Sequence, residues 1–219
     1  MTLEESLKNT VKTLPENVTL IAVSKTRTSE EILEMYRAGQ RDFGENKVQE
    51  LIQKQEILPK DIRWHQIGHL QKNKVKYIVP FIHLIHSVDS EELLRIIDKE
   101  AEKNNRTLGV LLQIKIAQED TKYGLSFENA FRILEKKRSG KFPHISIEGL
   151  MGMASFTDNR EQIIEEFSSL HRFYAQHQKD FRLTVLSMGM SDDYPIAIEC
   201  GSTMVRIGTK LFGKRDYTV

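Results

Sequence analysis

A single lysine, Lys25, ends an apolar run near the start of the chain, in Leu20-Ile21-Ala22-Val23-Ser24-Lys25. A lysine just past a strand is ordinarily a solvated end residue. A desolvated lysine, however, has a lowered pKa and can attack an aldehyde. Strand alternation places Ile21, Val23 and Lys25 on one face. The spacing is therefore compatible both with an amine that points into a binding site and with an exposed strand end.

Two stretches near the end of the sequence combine small and hydroxyl residues after apolar runs. Ser191 follows the run Thr184–Met188, and Gly208 and Thr209 follow Met204–Ile207. Glycine lets backbone N–H groups approach a phosphate closely, and hydroxyl groups donate hydrogen bonds to it. Each stretch alone is also typical of an ordinary turn. Their placement together after the last two strands favours a phosphate site. An amine and a phosphate site are what an aldehyde cofactor carrying a phosphate requires, so pyridoxal 5′-phosphate (PLP) is the expected ligand.

Arg206 lies inside the last apolar run, in Met204-Val205-Arg206-Ile207-Gly208. Alternation directs Val205 and Ile207 towards covering helices and Arg206 towards the interior. A buried guanidinium keeps its proton and must be satisfied. Two partners remain open: a buried acid such as Glu45, or the ring nitrogen of a bound pyridine. In the second case the cationic donor disfavours protonation of the ring nitrogen, which makes the ring a weak electron sink for carbanion chemistry.

These residues lie at the ends of β-like runs that alternate with helical patterns along the whole chain. Eight strands, most followed by a helix, predict an α/β fold, a single-domain (β/α)8 TIM barrel over residues 1–219. In that fold, ligands bind at the C-terminal ends of the strands, and phosphate often binds after strands seven and eight. An open doubly wound sheet is the alternative. The predicted strands are Thr19–Ser24, Asp42–Gly44, Arg63–Ile67, Leu84–Val88, Gly109–Ile116, Ile147–Gly152, Thr184–Met188 and Met204–Ile207.

The composition limits the classes of partner. The 32 basic and 31 acidic side chains nearly cancel, which leaves no large field for binding nucleic acid or an anionic membrane. No apolar run approaches the roughly 20 residues of a membrane span. The only cysteine, Cys200, excludes an internal disulfide and fits a reducing compartment, so we expect a cytoplasmic protein. We expect no metal site, because His65 and His69 span a strand end and a loop with no third ligand nearby.

Six stretches, spread in order along almost the whole chain, carry a more specific pattern. They are Ile21-Ala22-Val23-Ser24-Lys25-Thr26, Phe43-Gly44-Glu45-Asn46, Trp64-His65-Gln66-Ile67-Gly68-His69-Leu70-Gln71-Lys72-Asn73-Lys74, Gly149-Leu150-Met151-Gly152-Met153, Leu186-Ser187-Met188-Gly189-Met190-Ser191-Asp192-Asp193 and Gly201-Ser202-Thr203-Met204-Val205-Arg206-Ile207-Gly208-Thr209. Together they strongly resemble the pyridoxal phosphate homeostasis proteins. Where relatives commonly have Lys-Xaa-Gly after the fifth strand, Lys122 and Gly124 keep that spacing.

The resemblance implies a barrel like the N-terminal domain of bacterial alanine racemase, with PLP held covalently as an imine on Lys25. By position, Ser191, Gly208 and Thr209 would hold the phosphate, and Arg206 would face the pyridine nitrogen. The resemblance also implies three pocket-lining residues, which are Asn46, His65 and Met153.

The family is regarded as non-enzymatic, with roles in PLP storage or delivery to apo PLP-dependent enzymes, and we expect a monomer without catalytic residues. Racemases of this fold take one of two opposed acid/base groups from a second domain. Only ten residues follow Thr209 here, so we expect no such group unless a partner subunit supplies it. Two alternatives stay open: a PLP-dependent racemase or lyase for small amino acids, and a barrel enzyme in which Lys25 forms a Schiff base with a sugar phosphate.

Overall fold

The sheet of this protein closes on itself. In the computed structural model, which describes residues 2–119 and 123–213, parallel strands pair in sequence order and the first strand pairs with the last. The closing register sets Ile21 opposite Arg206. The predicted TIM barrel is confirmed, and the open sheet is excluded. The strands are β1 (Thr19–Val23), β2 (Asp42–Glu45), β3 (Arg63–Gln66), β4 (Leu84–Val88), β5 (Leu108–Ile114), β6 (Ile145–Gly152), β7 (Val185–Ser187) and β8 (Met204–Ile207).

Helices connect the strands and cover the outside of the barrel. Capping boxes fix the start of the first two, because the side chains of Thr2 and Thr28 each accept from the backbone N–H three residues on. The second helix ends before Gly39, whose φ of +106° is the left-handed conformation that glycine adopts readily at helix ends. The helices are α1 (Leu3–Val11), α2 (Ser29–Arg37), α3 (Val48–Ile57), α4 (Val75–Ile78), α5 (Glu91–Lys103), α6 (Phe127–Arg138), α7 (Arg160–Phe181), α8 (Tyr194–Glu199) and α9 (Thr209–Phe212); a 3₁₀ turn, Lys72–Lys74, precedes α4.

Apolar side chains pack on both faces of the sheet. The larger cluster lies between the strands and the helices and includes Val205 and Ile207. A smaller cluster fills part of the barrel interior, and its buried members are Ile21, Leu84, Leu111, Met151 and Met204. Alternation along β8 therefore works as predicted, with two apolar residues outward and Arg206 inward.

Within the described residues, no helix is long and apolar enough to cross a membrane. The stretch 120–122, which contains Lys122 of the predicted loop after β5, lies outside the described residues.

Candidate cofactor-binding site

A cavity of about 420 Å³ opens at the C-terminal ends of the strands, where barrels of this kind bind ligands. Of the eight site residues predicted from the sequence, seven line it: Lys25, Asn46, Met153, Ser191, Arg206, Gly208 and Thr209. The remaining lining residues are Val23, Ile67, Gly68, His69, Gln113, Tyr123, Phe156, Met190 and Asp192. A second cavity of about 700 Å³ adjoins the first and shares Phe156, Met190 and Asp192 with it. We place the site in the smaller cavity because that cavity holds the amine.

The residues on both sides of Lys25 are hydrogen-bonded to carboxylates. Ser24 is fully buried, and its hydroxyl donates to Glu45 Oε1 at 2.6 Å. Thr26 has a positive φ of 65°, and its backbone N–H donates to Glu50 Oε1 at 2.5 Å. These two bonds fix the turn after β1, so the half-buried Lys25 side chain is directed into the cavity.

A buried lysine of α3 joins those two carboxylates. Lys54 Nζ donates to Ser24 O at 2.7 Å, to Glu45 Oε1 at 2.7 Å and to Glu50 Oε1 at 2.6 Å. The side chain of Lys54 is 7% exposed and that of Glu45 is 0% exposed. Burial raises the pKa of Glu45, and the neighbouring ammonium group of Lys54 opposes that rise. The ion pair therefore ties α3 to the turn that carries Lys25.

Hydrogen-bond donors from the loops after β7 and β8 converge at one end of the cavity. Ser191 Oγ accepts from the backbone N–H groups of Gly208 at 3.2 Å and of Lys210 at 3.4 Å. A Cβ atom at Gly208 would lie 3.3 Å from Val23 Cβ, which is a tight contact with the wall of β1. Backbone N–H groups and hydroxyls gathered in this way can bind a phosphate. The two predicted phosphate stretches therefore lie at one end of the cavity.

Arg206 reaches the cavity from inside the barrel and is 4% exposed. Its Nη1 donates to Ser187 O at 2.9 Å and to Ser187 Oγ at 2.7 Å, and its Nη2 donates to Gly152 O at 3.0 Å. Burial lowers the pKa of Arg206 to about 10, with the charge of Asp193 opposing that shift, so the group stays charged at neutral pH. No carboxylate within residues 2–119 and 123–213 is hydrogen-bonded to it. A buried cation held by neutral acceptors favours a ligand that carries negative charge.

The donor set fits a phosphate-bearing aldehyde, because an amine, a cluster of hydroxyl and N–H donors and a buried guanidinium line one cavity.

Known proteins with similar sequences place this chain in a family. The family model for the alanine racemase N-terminal domain matches residues 2–216. The pyridoxal phosphate homeostasis protein of Aquifex aeolicus (strain VF5) is 41% identical over 201 residues, which cover 90% of this chain and 87% of the relative. The pyridoxal phosphate homeostasis protein of Synechocystis sp. is 40% identical over 210 residues, which cover 94% of this chain and 95% of the relative. The chain belongs to the pyridoxal phosphate homeostasis protein family.

Solved structures agree with that assignment. PipY of Synechococcus elongatus PCC7942, solved without PLP, has a TM-score of 0.91 and 39% identity, with 97% of this chain and 100% of that chain covered. The same protein with PLP bound has a TM-score of 0.86 and 37% identity, again with 97% of this chain and 100% of that chain covered. An alanine racemase of Clostridium difficile 630 has a TM-score of 0.83 at 16% identity, covering 99% of this chain and 58% of the racemase. At that identity the likeness shows a shared fold.

The structure does not bring His65 to the cavity, unlike the other predicted pocket residues. His65 is 1% exposed, and its ring bonds Asp42 and His86 at 3.0 Å each, deeper in the barrel. His65 comes before Ile67 in the chain, and Ile67 is the first residue of this segment that lines the cavity. The suggested ion pair between Glu45 and Arg206 is also wrong, because Glu45 faces α3 and pairs with Lys54.

Other lining residues did not follow from the sequence. Tyr123 stacks on His69 with ring centroids 4.4 Å apart, and Gln113 Nε2 donates to Tyr123 O at 2.9 Å. Alternation along β5 could have identified Gln113, since it shares a face with the interior residue Leu111. The stacking of Tyr123 depends on the path of a loop, for which the sequence carries no comparable pattern.

Among the residues that the structure describes, one group of side chains has the composition of a metal site. Asp42, His65 and His83 each place a potential ligand atom within 4.8 Å of the others. Both Asp42 oxygens already accept from Arg63, with Nε to Oδ1 at 2.7 Å and Nη2 to Oδ2 at 2.5 Å. The positive guanidinium opposes a second cation at this point. We therefore treat the group as a hydrogen-bonded ion pair.

Proposed function

We propose that this protein binds PLP covalently through Lys25 and serves to store PLP and deliver it, without catalysing a reaction of its own. The observation that carries the proposal is the shared cavity: Lys25 after β1, Ser191 after β7, and Gly208 and Thr209 after β8 all line it. Membership of the pyridoxal phosphate homeostasis protein family and the likeness to the PLP-bound PipY structure support it.

PLP, when bound, supplies an aldehyde that condenses with an amine. Lys25 Nζ would provide the amine, and water would leave as C=N replaces C=O. The hydroxyls of Ser191 and Thr209 and the N–H of Gly208 would donate to the phosphate. Asn46 and Met153 would contact the ligand from the ends of β2 and β6.

Arg206 supports a holding role over a catalytic one. Three of the five guanidinium N–H donors are used by Ser187 and Gly152, which leaves two that can face a ligand. A cation that donates to the ring nitrogen disfavours its protonation. An unprotonated ring is a poor acceptor for the electron pair of a substrate carbanion.

The chain would act as a single domain and a monomer in the cytoplasm, which its lone cysteine favours. Apo forms of PLP-dependent enzymes would be its recipients. Size-exclusion chromatography with light scattering tests the monomer, and transfer of PLP to an apo enzyme, followed by recovery of that enzyme's activity, tests delivery.

The covalent site is tested by absorbance and by chemical trapping. We expect the purified protein mixed with PLP to become yellow, and borohydride reduction to fix one phosphopyridoxyl group on the peptide that contains Lys25. Lys25→Ala should lose both the yellow band and the fixed label, whereas Lys47→Ala, which removes an exposed lysine beside the cavity, should keep both. A colourless wild type, or a label on another lysine, would refute the site.

The absence of catalysis is tested separately. We expect alanine incubated with the PLP-loaded protein in deuterated water to keep its α-hydrogen over many minutes. Enzymes typically turn over at about 1–10³ per second. Exchange at such rates would show that the protein is a racemase or a related PLP enzyme.

A further inference from the structure

Buried polar side chains form a row across the interior of the barrel. His65 of β3, His86 of β4 and Ser187 of β7 are 1%, 0% and 0% exposed. His65 Nδ1 lies 3.0 Å from His86 Nε2, and His86 Nδ1 lies 3.2 Å from Ser187 Oγ. Burying such groups is costly unless they are hydrogen-bonded, and here they bond one another.

Both ends of this row continue into charged groups. At one end, Asp42 Oδ1 lies 3.0 Å from His65 Nε2. At the other end, Arg206 Nη1 donates to Ser187 Oγ at 2.7 Å. We call the five residues Asp42, His65, His86, Ser187 and Arg206 the polar column. It runs from the start of β2 to the cavity.

The ends of the polar column fix the direction of every hydrogen bond in it. Burial opposes ionisation of Asp42, but hydrogen bonds from Arg63 and His65 outweigh it and hold the pKa of that carboxyl well below its usual range. An ionised carboxylate only accepts, and a guanidinium only donates. Burial lowers the pKa of both imidazoles, which favours one donor and one acceptor nitrogen on each ring.

A single arrangement satisfies these conditions. Arg206 donates to Ser187 Oγ, the Ser187 hydroxyl donates to His86 Nδ1, and His86 Nε2–H donates to His65 Nδ1. His65 Nε2–H then donates to Asp42. If the proton of each imidazole were on Nδ1 instead, His65 Nε2 would be an acceptor facing Asp42 Oδ1, which is also an acceptor, and that contact is unfavourable. Both histidines are therefore assigned as Nε2–H tautomers.

We propose that the polar column sets the direction of the Arg206 guanidinium, so that His86 and Ser187 are positioning residues for the contact between Arg206 and the ring nitrogen of PLP. The inference rests on the proposed function. Neither His86 nor Ser187 is among the residues that line the cavity, so their influence has to pass through Arg206. Chains of aligned hydrogen bonds polarise one another, which ties the orientation of Arg206 to the carboxylate at the far end.

The first test removes one hydroxyl. Ser187→Ala deletes the acceptor of Arg206 Nη1 and the donor to His86, while the backbone contact to Ser187 O remains. Ser202→Ala is the matched control, because Ser202 is 3% exposed and its hydroxyl lies within hydrogen-bond distance of the carbonyls of Leu186, Met188 and Met204 and, among the described residues, of no member of the polar column. Both variants should lose thermal stability. Only Ser187→Ala should shift the absorbance maximum of bound PLP and raise its Kd, by about tenfold.

The outcomes separate the two proposals. If wild type takes up no PLP, the proposed function fails and this inference fails with it. If wild type is yellow but Ser187→Ala matches it in spectrum and Kd, the polar column has no positioning role and the proposed function stands. An equal spectral shift in Ser202→Ala would likewise overturn the inference, because a general loosening of β7 and β8 would then explain the change.

A second test needs no variant to fold. Long-range ¹H–¹⁵N correlation spectra of the PLP-loaded wild type at neutral pH report which nitrogen of each imidazole carries the proton. We expect His65 and His86 to be neutral Nε2–H tautomers. An Nδ1–H tautomer or a doubly protonated ring at either position would refute the direction of the polar column.

Discussion

The buried ion pair behind Lys25 allows a sharp stability prediction. Lys54→Met keeps most of the side-chain volume but removes the ammonium group that bonds Ser24 O, Glu45 and Glu50 at 2.6–2.7 Å. Glu45 is 0% exposed, so the variant would leave a carboxylate buried without its cation. Breaking a buried pair in this way costs about 3–5 kcal/mol.

For a chain of this size each kcal/mol shifts Tm by about 2–4 °C, so Tm should fall by roughly 6–20 °C. Urea unfolding followed by circular dichroism at neutral pH gives the free energy of unfolding directly. Lys8→Met is the matched control, because Lys8 forms the same i, i+4 pair with Glu4 but is 62% exposed. That control should change the free energy of unfolding by no more than about 0.5 kcal/mol.

The pH dependence and a second substitution make the test specific. Without Lys54 the hydrogen bond from Ser24 is left to oppose the burial that raises the pKa of Glu45, so in the folded variant this carboxyl takes up a proton at a higher pH than in the unfolded chain. Proton uptake then favours the folded state. The loss in free energy of unfolding of the variant relative to wild type should therefore shrink as pH falls through the pKa of Glu45 in the folded variant. Adding Glu45→Gln to Lys54→Met should recover part of the loss. A loss below about 1 kcal/mol, or a double variant no better than the single one, would refute the buried-charge reasoning.

Two further predictions concern the two ends of the barrel. Although burial opposes it, the pKa of Asp42 is held low by Arg63 and His65, so its stabilising effect is present above the unfolded value of about 3.9 and is lost as pH falls through the folded value. Asp42→Asn should therefore destabilise the protein at neutral pH, and its deficit in urea unfolding should begin to shrink as pH falls below about 4; a gap that stays constant from neutral pH down to about pH 3 would contradict this. Gly189 has a φ of +96°, and a Cβ atom there would lie 2.6 Å from Ala197 Cβ, so Gly189→Ala should destabilise by more than about 1 kcal/mol and weaken PLP binding through the loop that carries Ser191. Unchanged PLP affinity in equilibrium titrations would show that this loop tolerates the shift.

Much of the fold and the site followed from short-range patterns. The bounds of β4 and β8 agree with the sequence prediction, because the period-2 pattern is strong there. The same alternation correctly turned Arg206 inward. It would also have excluded the ion pair with Glu45, since Glu45 shares the outer face of β2 with the core residue Phe43.

What the sequence did not predict depends on contacts between remote residues. Helix α3 was not predicted because Lys47 provides no side-chain cap and Lys54 occupies a buried position where an apolar residue would be expected. The hydrogen bond between His86 and Ser187 joins residues 101 positions apart, and no local sequence pattern predicts a contact at that separation. His65 was assigned to the pocket through a resemblance, which does not fix depth within a strand.

The pairing of β1 with β8 also governs when the cavity comes into existence during synthesis. Lys25 is translated long before the loop after β8, so a nascent chain has no complete cavity until β8 has been inserted beside β1. Bringing such remote segments together carries a large loop-closure entropy, which makes this step late in folding as well. Any ligand of this cavity is thus captured only by finished barrels, and interrupted chains leave it in solution.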